Sequence, residues 1–319
     1  MKWGKKIIAA TSLISLAVGT IHAINKLISY TATLNDFMSK TPGHYYEWRF
    51  GKIFYTKKGT GKPLLLIHDL NSFSSGYEWE RVEEKLSKTN TVYTIDLLGC
   101  GRSDKPNLTY TNFLYVQLIN DFIKHIIDEK TDIIATAESG SFVLFACNHD
   151  NSIIDKVMLV NPQNLTLLSK IPSKRSKALR LLISIPIIGT LIYNILSRRK
   201  KISDLFYDEY FSDLRPTDNH LVNLYYESAH KRNAKSKHLF ASIKGYYTNA
   251  NLIHCLKGIN NSIFILTGTS DEKHLFAAKQ YQEIAPSIEV VELPNAKLLP
   301  QLESPTSFVS QIHLLFETH

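Results

Sequence analysis

Asp96-Leu97-Leu98-Gly99-Cys100-Gly101-Arg102-Ser103-Asp104-Lys105-Pro106 is the stretch on which the reading of the fold turns. It follows a strand-like run, Thr91–Ile95, and its two glycines admit backbone geometry closed to other residues. Upstream, Pro63-Leu64-Leu65-Leu66-Ile67 is continuously apolar, the pattern of a strand buried on both faces. Two short strand-like runs, near Tyr46–Phe50 and Lys52–Thr56, come before it, and Glu78 to Lys88 reads as a helix. Downstream, Thr111 to Ile127 is amphipathic at helical period, Asp132–Thr136 is a strand, Ser141–Asn148 a helix and Lys156–Val160 a strand. After a long interruption the alternation resumes: strand Ser262–Thr267, helix Leu275–Glu283, strand Ile288–Leu293 and helix Pro305–Phe316. Alternating strands and helices imply an α/β fold, with a mostly parallel sheet covered by helices on both faces.

Four segments therefore divide the chain: an N-terminal anchor and linker over 1–40, a first core part over 41–162, a helical insertion over 163–259 and a second core part over 260–319. Lys5 and Lys6 precede 17 uncharged residues, Ile7 to Ala23, near the short limit for a spanning helix. Ile21-His22-Ala23 is a poor small-x-small cleavage site, which favours a retained anchor over a cleaved signal peptide. The Thr, Ser and His residues leave an interfacial helix as a third reading. The basic start places the N-terminus in the cytoplasm and, if the segment spans, the main domain outside it.

The insertion carries the apolar run Leu181 to Leu196, broken by Pro186 and Gly189 and read as two short helices facing a pocket or a bilayer. Basic clusters flank it: Lys170, Lys174, Arg175, Lys177 and Arg180 before, Arg198, Arg199, Lys200 and Lys201 after. With a formal net charge of +8, this layout favours an anionic membrane surface, or plain solvated helix ends, over nucleic acid. Zinc-finger spacing and RNA-binding signatures are missing from the sequence, so no nucleic-acid partner is expected. Cys100, Cys147 and Cys255 are odd in number and far apart, which fits buried small hydrophobes rather than disulfides or a metal site. No metal or organic cofactor is implied.

Five segments, taken in order and spacing, resemble the α/β-hydrolase family. The matching parts cover roughly two thirds of the chain, and the 96–106 loop looks like its D-x-x-G-x-G-x-S-D-x-P motif. Leu64-Leu65-Leu66-Ile67-His68-Asp69-Leu70 resembles the strand followed by His-Gly-x, which implies the Leu70 N–H as an oxyanion donor; Asp69 replaces the glycine. Ala137-Glu138-Ser139-Gly140-Ser141 is similar to the G-x-S-x-G nucleophile elbow, which implies Ser139 as nucleophile and Gly140 as the second oxyanion donor. A shifted register would put Glu138 at the nucleophile, with a poorer fit at Thr136. Gly268-Thr269-Ser270-Asp271 resembles G-x-x-D, which implies Asp271 as the triad acid; an ordinary turn aspartate is the alternative. Leu293 to Pro305 resembles G-x-G-H-x-P-x-x-E-x-P, with Leu298 where the catalytic His belongs.

In this family the insertion after Val160-Asn161-Pro162 is a cap, and no histidine lies between His274 and His313 to replace the missing base. His68 is the candidate substitute. Two functions are expected from this pattern. The first is a membrane-anchored hydrolase of ester or lipid-like acyl substrates, acting through Ser139 with a non-standard base. The second is a catalytically inactive member that binds a small molecule or lipid or serves as a scaffold. Lyase or oxygenase chemistry, which the fold also hosts, has no specific support.

Overall fold

The computed structural model describes residues 2–213 and 219–318. Eight strands form one sheet: β1 (His44–Trp48), β2 (Gly51–Lys58), β3 (Lys62–Ile67), β4 (Asn90–Ile95), β5 (Thr131–Thr136), β6 (Ile154–Val160), β7 (Ile263–Gly268) and β8 (Glu289–Leu293). Their order is β1-β2-β4-β3-β5-β6-β7-β8. β1 and β2 pair antiparallel, as do β2 and β4; every pair from β4 to β8 is parallel. The parallel strands read as unbroken apolar runs because helices bury both faces. Side chains alternate across the sheet at period two. Leu65, Ile67, Ile133, Ala135, Val157, Leu159 and Ile265 enter one core. Leu64, Leu66, Ile134, Met158, Val160 and Leu266 enter the other, with Trp79 and Phe308.

The helices of the first layer include α3 (Asn112–Phe122), α4 (Ser139–His149), α11 (Ile253–Gly258) and α12 (Glu272–Ile284); α11 packs on α4 and α12. The opposite layer holds the short α2 (Glu83–Leu86) and the C-terminal α14 (Pro305–Thr318), preceded by α13 (Pro300–Glu303). The helix expected over 78–88 is instead a 3₁₀ turn, Gly76–Trp79, followed by α2. The turn buries four consecutive residues, Gly76 to Trp79, which a one-sided amphipathic helix would not do. The helix expected over 111–127 ends as α at Phe122 and closes with a π turn over Ile123–Ile127.

The 96–106 loop is held from within. Asp96 accepts hydrogen bonds from Gly76 N–H at 2.7 Å and from Arg102 N–H and Nε at 2.8 Å each. Gly101 has φ +45°, and a Cβ there would lie 2.4 Å from the Asp96 carboxylate, so glycine is required on both counts.

Between β6 and β7 the chain is helical: α5 (Leu165–Leu168), α6 (Lys174–Ser184), α7 (Ile188–Leu196), α8 (Arg199–Leu205), a π turn at Phe206–Tyr210, α9 (Asn219–Ala234) and α10 (Lys237–Lys244), then α11. The axis bends by 103° between α6 and α7, where Pro186 sits. The buried aromatics Phe206, Tyr210, Phe211 and Tyr225 join Leu299 and Leu302 in a third core, and Leu298 packs against it. The N-terminal helix α1 (Lys2–Thr33) has 32 residues, about 48 Å at 1.5 Å per residue, and is long and apolar enough to cross a membrane. Residues 10–20 are exposed, whereas Asn25 and Ser29 are buried where α1 packs on α7 and α9. Cys100, Cys147 and Cys255 are buried free thiols.

Candidate functional site

The turn from β5 into α4 has one residue in the left-handed region, Ala137 at φ +47°; Glu138 is already right-handed and Ser139 opens the helix. The strained corner of a nucleophile elbow is the residue that holds the nucleophile above the sheet. The structure thus corrects the expected register. The corner lies two residues before Ser139, and the small neighbours that the tight turn needs are Ala135 and Ser139. The Ser139 hydroxyl is fully buried and donates to the His68 carbonyl oxygen at 2.6 Å. No imidazole takes part in that bond.

The donors around the corner are also displaced from expectation. Gly140 N–H points back to Ala137 O at 3.2 Å, closing the first turn of α4, and is not presented to the site. Glu138 N–H, the next amide after the corner, donates to Asp69 Oδ1 at 3.3 Å. The backbone of Leu70, where the sequence places an oxyanion donor, lies near enough to the Asp69 carboxyl group to favour its ionised form. Two amides aimed at one point form an oxyanion hole when that point is open. Here the Asp69 carboxyl group takes the Glu138 amide, so its side chain is turned inward.

Behind Asp69 lies a second buried carboxyl. Glu78 accepts Asp69 N–H at 3.2 and 3.3 Å, Gln301 Nε2 at 2.9 Å and, at 3.5 Å, the Tyr225 hydroxyl. Gln301 also donates to Thr136 Oγ1 at 3.2 Å. Burial pushes Asp69 up to about 6 and Glu78 up to about 8, the neighbouring Asp69 adding to the latter. Glu138, bonded by Thr248, is likewise pushed up to about 8 by desolvation. Three carboxyl groups thus surround the corner, each favouring its protonated form more than a solvent-exposed acid does. Glu78, Gln301 and the corner position of Ala137 are not marked in the sequence, because the elbow pattern sets its register on a serine; Glu138 enters that reading only as a nucleophile in a shifted register. Ala135-Thr136-Ala137-Glu138-Ser139 has small residues at both ends, which was the available signal.

The remaining candidates lie elsewhere. His68 Nε2 accepts Leu97 N–H at 3.0 Å, so Nδ1 carries the proton and donates to Asp69 O at 2.7 Å. Both ring nitrogens are used by backbone, and burial lowers the imidazole to about 4. The geometry does not fit His68 as a substitute base. Asp271 caps α12 through Lys273 N–H at 3.0 Å and pairs with Lys273 Nζ at 2.9 Å; Lys273 also pairs with Glu209. The acid position is thus engaged by a lysine. The base position, Leu298, contacts the apolar cap core, and its N–H reaches Glu209 O at 3.4 Å.

A model of the alpha/beta hydrolase family matches residues 64–311. Among curated proteins, 2-hydroxy-6-oxo-6-(2'-aminophenyl)hexa-2,4-dienoic acid hydrolase of Metapseudomonas resinovorans is 28% identical over 116 residues, 35% of this chain and 40% of that one. The first relatives match over only 31% of their own length. Among solved structures, a serine hydrolase involved in carbazole degradation superposes with a TM-score of 0.72 at 16% identity, covering 87% of this chain and 99% of that one. A membrane phospholipase A superposes with a TM-score of 0.67 at 18% identity, covering 98% of each chain. The strand order, the left-handed corner after β5 and a family match over most of the core lead to one conclusion: the chain belongs to the alpha/beta hydrolase family.

Proposed function

We propose that this chain is a membrane-anchored member of the family that has given up serine hydrolysis and acts as a binding or scaffold protein for a lipid-like ligand. The observation that carries the proposal is the Asp69 carboxyl group bonded to Glu138 N–H beside the Ala137 corner. Alanine offers no nucleophile. An acid taking an amide next to the corner weakens the electrostatic term that usually contributes most to acyl transfer. Leu298 supplies no base, and the cap aromatics reach the carboxyl pair through Tyr225. The similarity to a membrane phospholipase A over nearly the whole chain, together with the apolar length of α1, supports placing α1 in a membrane.

A second reading has its own observation. Asp69, Glu78 and Glu138 have acidities raised toward neutral pH, as general acids and bases do, and the named relatives are hydrolases. Hydrolysis would then depend on carboxyl groups and not on serine. Assay of the purified full chain against a panel of p-nitrophenyl and glycerolipid esters separates the two. The binding reading expects no turnover above that of the Asp69→Asn variant. Turnover that is lost in Asp69→Asn and kept in Ser139→Ala would establish carboxyl chemistry and overturn it.

A further inference from the structure

We propose that the cavity between α1 and the cap, remote in sequence from the β5–α4 corner, binds the phosphate of an anionic phospholipid headgroup. The inference rests on the membrane placement of α1. The cavity holds about 300 Å³. His22, Asn25, Lys26 and Ser29 line it from α1, at the i, i+3, i+4, i+7 spacing of one helix face. Lys235, Lys237 and His238 line it from the α9–α10 junction, and none of its lining residues is acidic. Among the described residues, Lys26, Lys235 and Lys237 are in none of the ion pairs. Lys26 meets only the neutral Asn233 Oδ1 at 3.0 Å, and Lys237, itself 6% exposed, meets Ile185 O and Thr190 Oγ1 at 3.1 and 3.0 Å. Uncompensated cations around one cavity mark a site for an anion.

Two further observations point to a ligand. Ser29 and His238, both lining residues, are more than nine-tenths buried, and Ser29 Oγ and His238 Nδ1 have no hydrogen-bond partner. Such groups cost free energy unless something binds them. The walls are also strained. Ile187 has φ +67° and ψ −67° in a γ-turn closed by Ile188 N–H to Pro186 O at 2.7 Å. Arg232, Asn233 and Ala234 are all left-handed, at φ +55°, +58° and +57°. Non-glycine residues held this way cluster at ligand clamps.

The position selects a lipid as the source of the phosphate. The cavity opens one turn beyond the exposed apolar part of α1, at the depth of headgroups if that part spans. Beside its rim, Leu181, Leu182, Ile185 and Ile188 at the α6–α7 bend are 43 to 63% exposed, a surface suited to acyl chains. A choline headgroup would bring a cation into a site with three lysines and no carboxylate. The site therefore favours phosphatidylglycerol over phosphatidylcholine.

The test uses the full chain in a non-ionic detergent, with thermal unfolding followed by circular dichroism. Dihexanoyl phosphatidylglycerol is expected to raise the midpoint by about 5 °C. Dihexanoyl phosphatidylcholine and inorganic phosphate are expected to raise it by less than about 1 °C, near the resolution of so small a binding term. Lys26→Gln/Lys235→Gln, both exposed positions, should remove the lipid shift and leave the unliganded midpoint unchanged; Lys235→Gln alone, halving the shift or more, serves if the double variant is unstable. Equal shifts from both lipids, or a shift that survives the variants, would overturn the proposal. A full shift from inorganic phosphate would overturn the lipid source. Because the readout is in detergent, it is independent of whether α1 spans, which alkaline carbonate extraction of membranes decides separately.

Discussion

At the residue scale, the Asp69 carboxyl group takes the Glu138 amide just after the Ala137 corner. The interaction is self-consistent only if the carboxyl can share protons with its surroundings, because Glu78 lies directly behind it. This gives a pH dependence with a definite sign. Glu78 is raised from 4.5 to about 8 by burial, so the stability that its protonated form contributes is complete below about pH 4.5 and is lost as pH rises through about 8. His68, His230, His238 and His274 are lowered from 6.5 to about 4 by burial and oppose this only below pH 6.5. Between pH 6.5 and about 7.5 the raised carboxyl groups dominate, before Lys105, lowered to about 8 by burial, begins to oppose them. Urea unfolding should show stability falling by about 1 kcal/mol across that window for each of Glu78 and Glu138, and Glu78→Gln should roughly halve the slope. A flat wild-type profile would contradict the carboxyl assignment. The corner makes a second prediction: Ala137→Ser alone should not react with a fluorophosphonate, since Asp69 still takes the Glu138 amide. Labelling should first emerge in Ala137→Ser/Asp69→Gly/Leu298→His, as judged by in-gel fluorescence. Pro300, Glu303 and Pro305 set the expected register that puts Leu298 at the base. The corner at Ala137 was not legible, because a serine two residues on fits the same pattern and only the left-handed φ of Ala137 separates the registers.

At the element scale, α1 does two jobs along its length. Residues 10–20 are exposed and uncharged; its C-terminal part packs on α7 and α9. Asn25 is the joint, donating to Ile187 O at 2.8 Å and accepting from Asn194 Nδ2 at 2.9 Å. Asn25→Ala leaves the buried Asn194 Nδ2 without its partner and should cost about 1–3 kcal/mol, seen as a lower unfolding midpoint and faster proteolytic release of α1. No change in either would show that α1 is not docked. The strands were legible to within about two residues because each parallel strand is a short apolar run between turn residues. The two cap helices on either side of Pro186 were also legible. The docking of α1 on α7 and α9 was not, since Asn25 and Ser29 are polar positions that nothing local marks as buried. The 78–88 helix was misread for a related reason: Glu78 looks like a solvent residue until its partners Asp69 and Gln301, distant in sequence, are brought to it.

At the scale of the whole molecule, the eight-stranded sheet, the buried Asp96–Arg102 pair and a helical insertion make up the scaffold. On the proposed reading, Ala137, Asp69 and Leu298 close the corner, the oxyanion side and the expected base position. If α1 anchors the chain, membrane fractionation should retain the protein through high-salt and carbonate washes; release by either wash would contradict a spanning helix. The central claim, that no activated serine exists here, is tested most directly by treating folded full-length protein with a fluorophosphonate probe beside Ser139→Ala. The account predicts no labelling of either protein. Labelling of the wild type that disappears in Ser139→Ala would contradict it and restore Ser139 as the nucleophile.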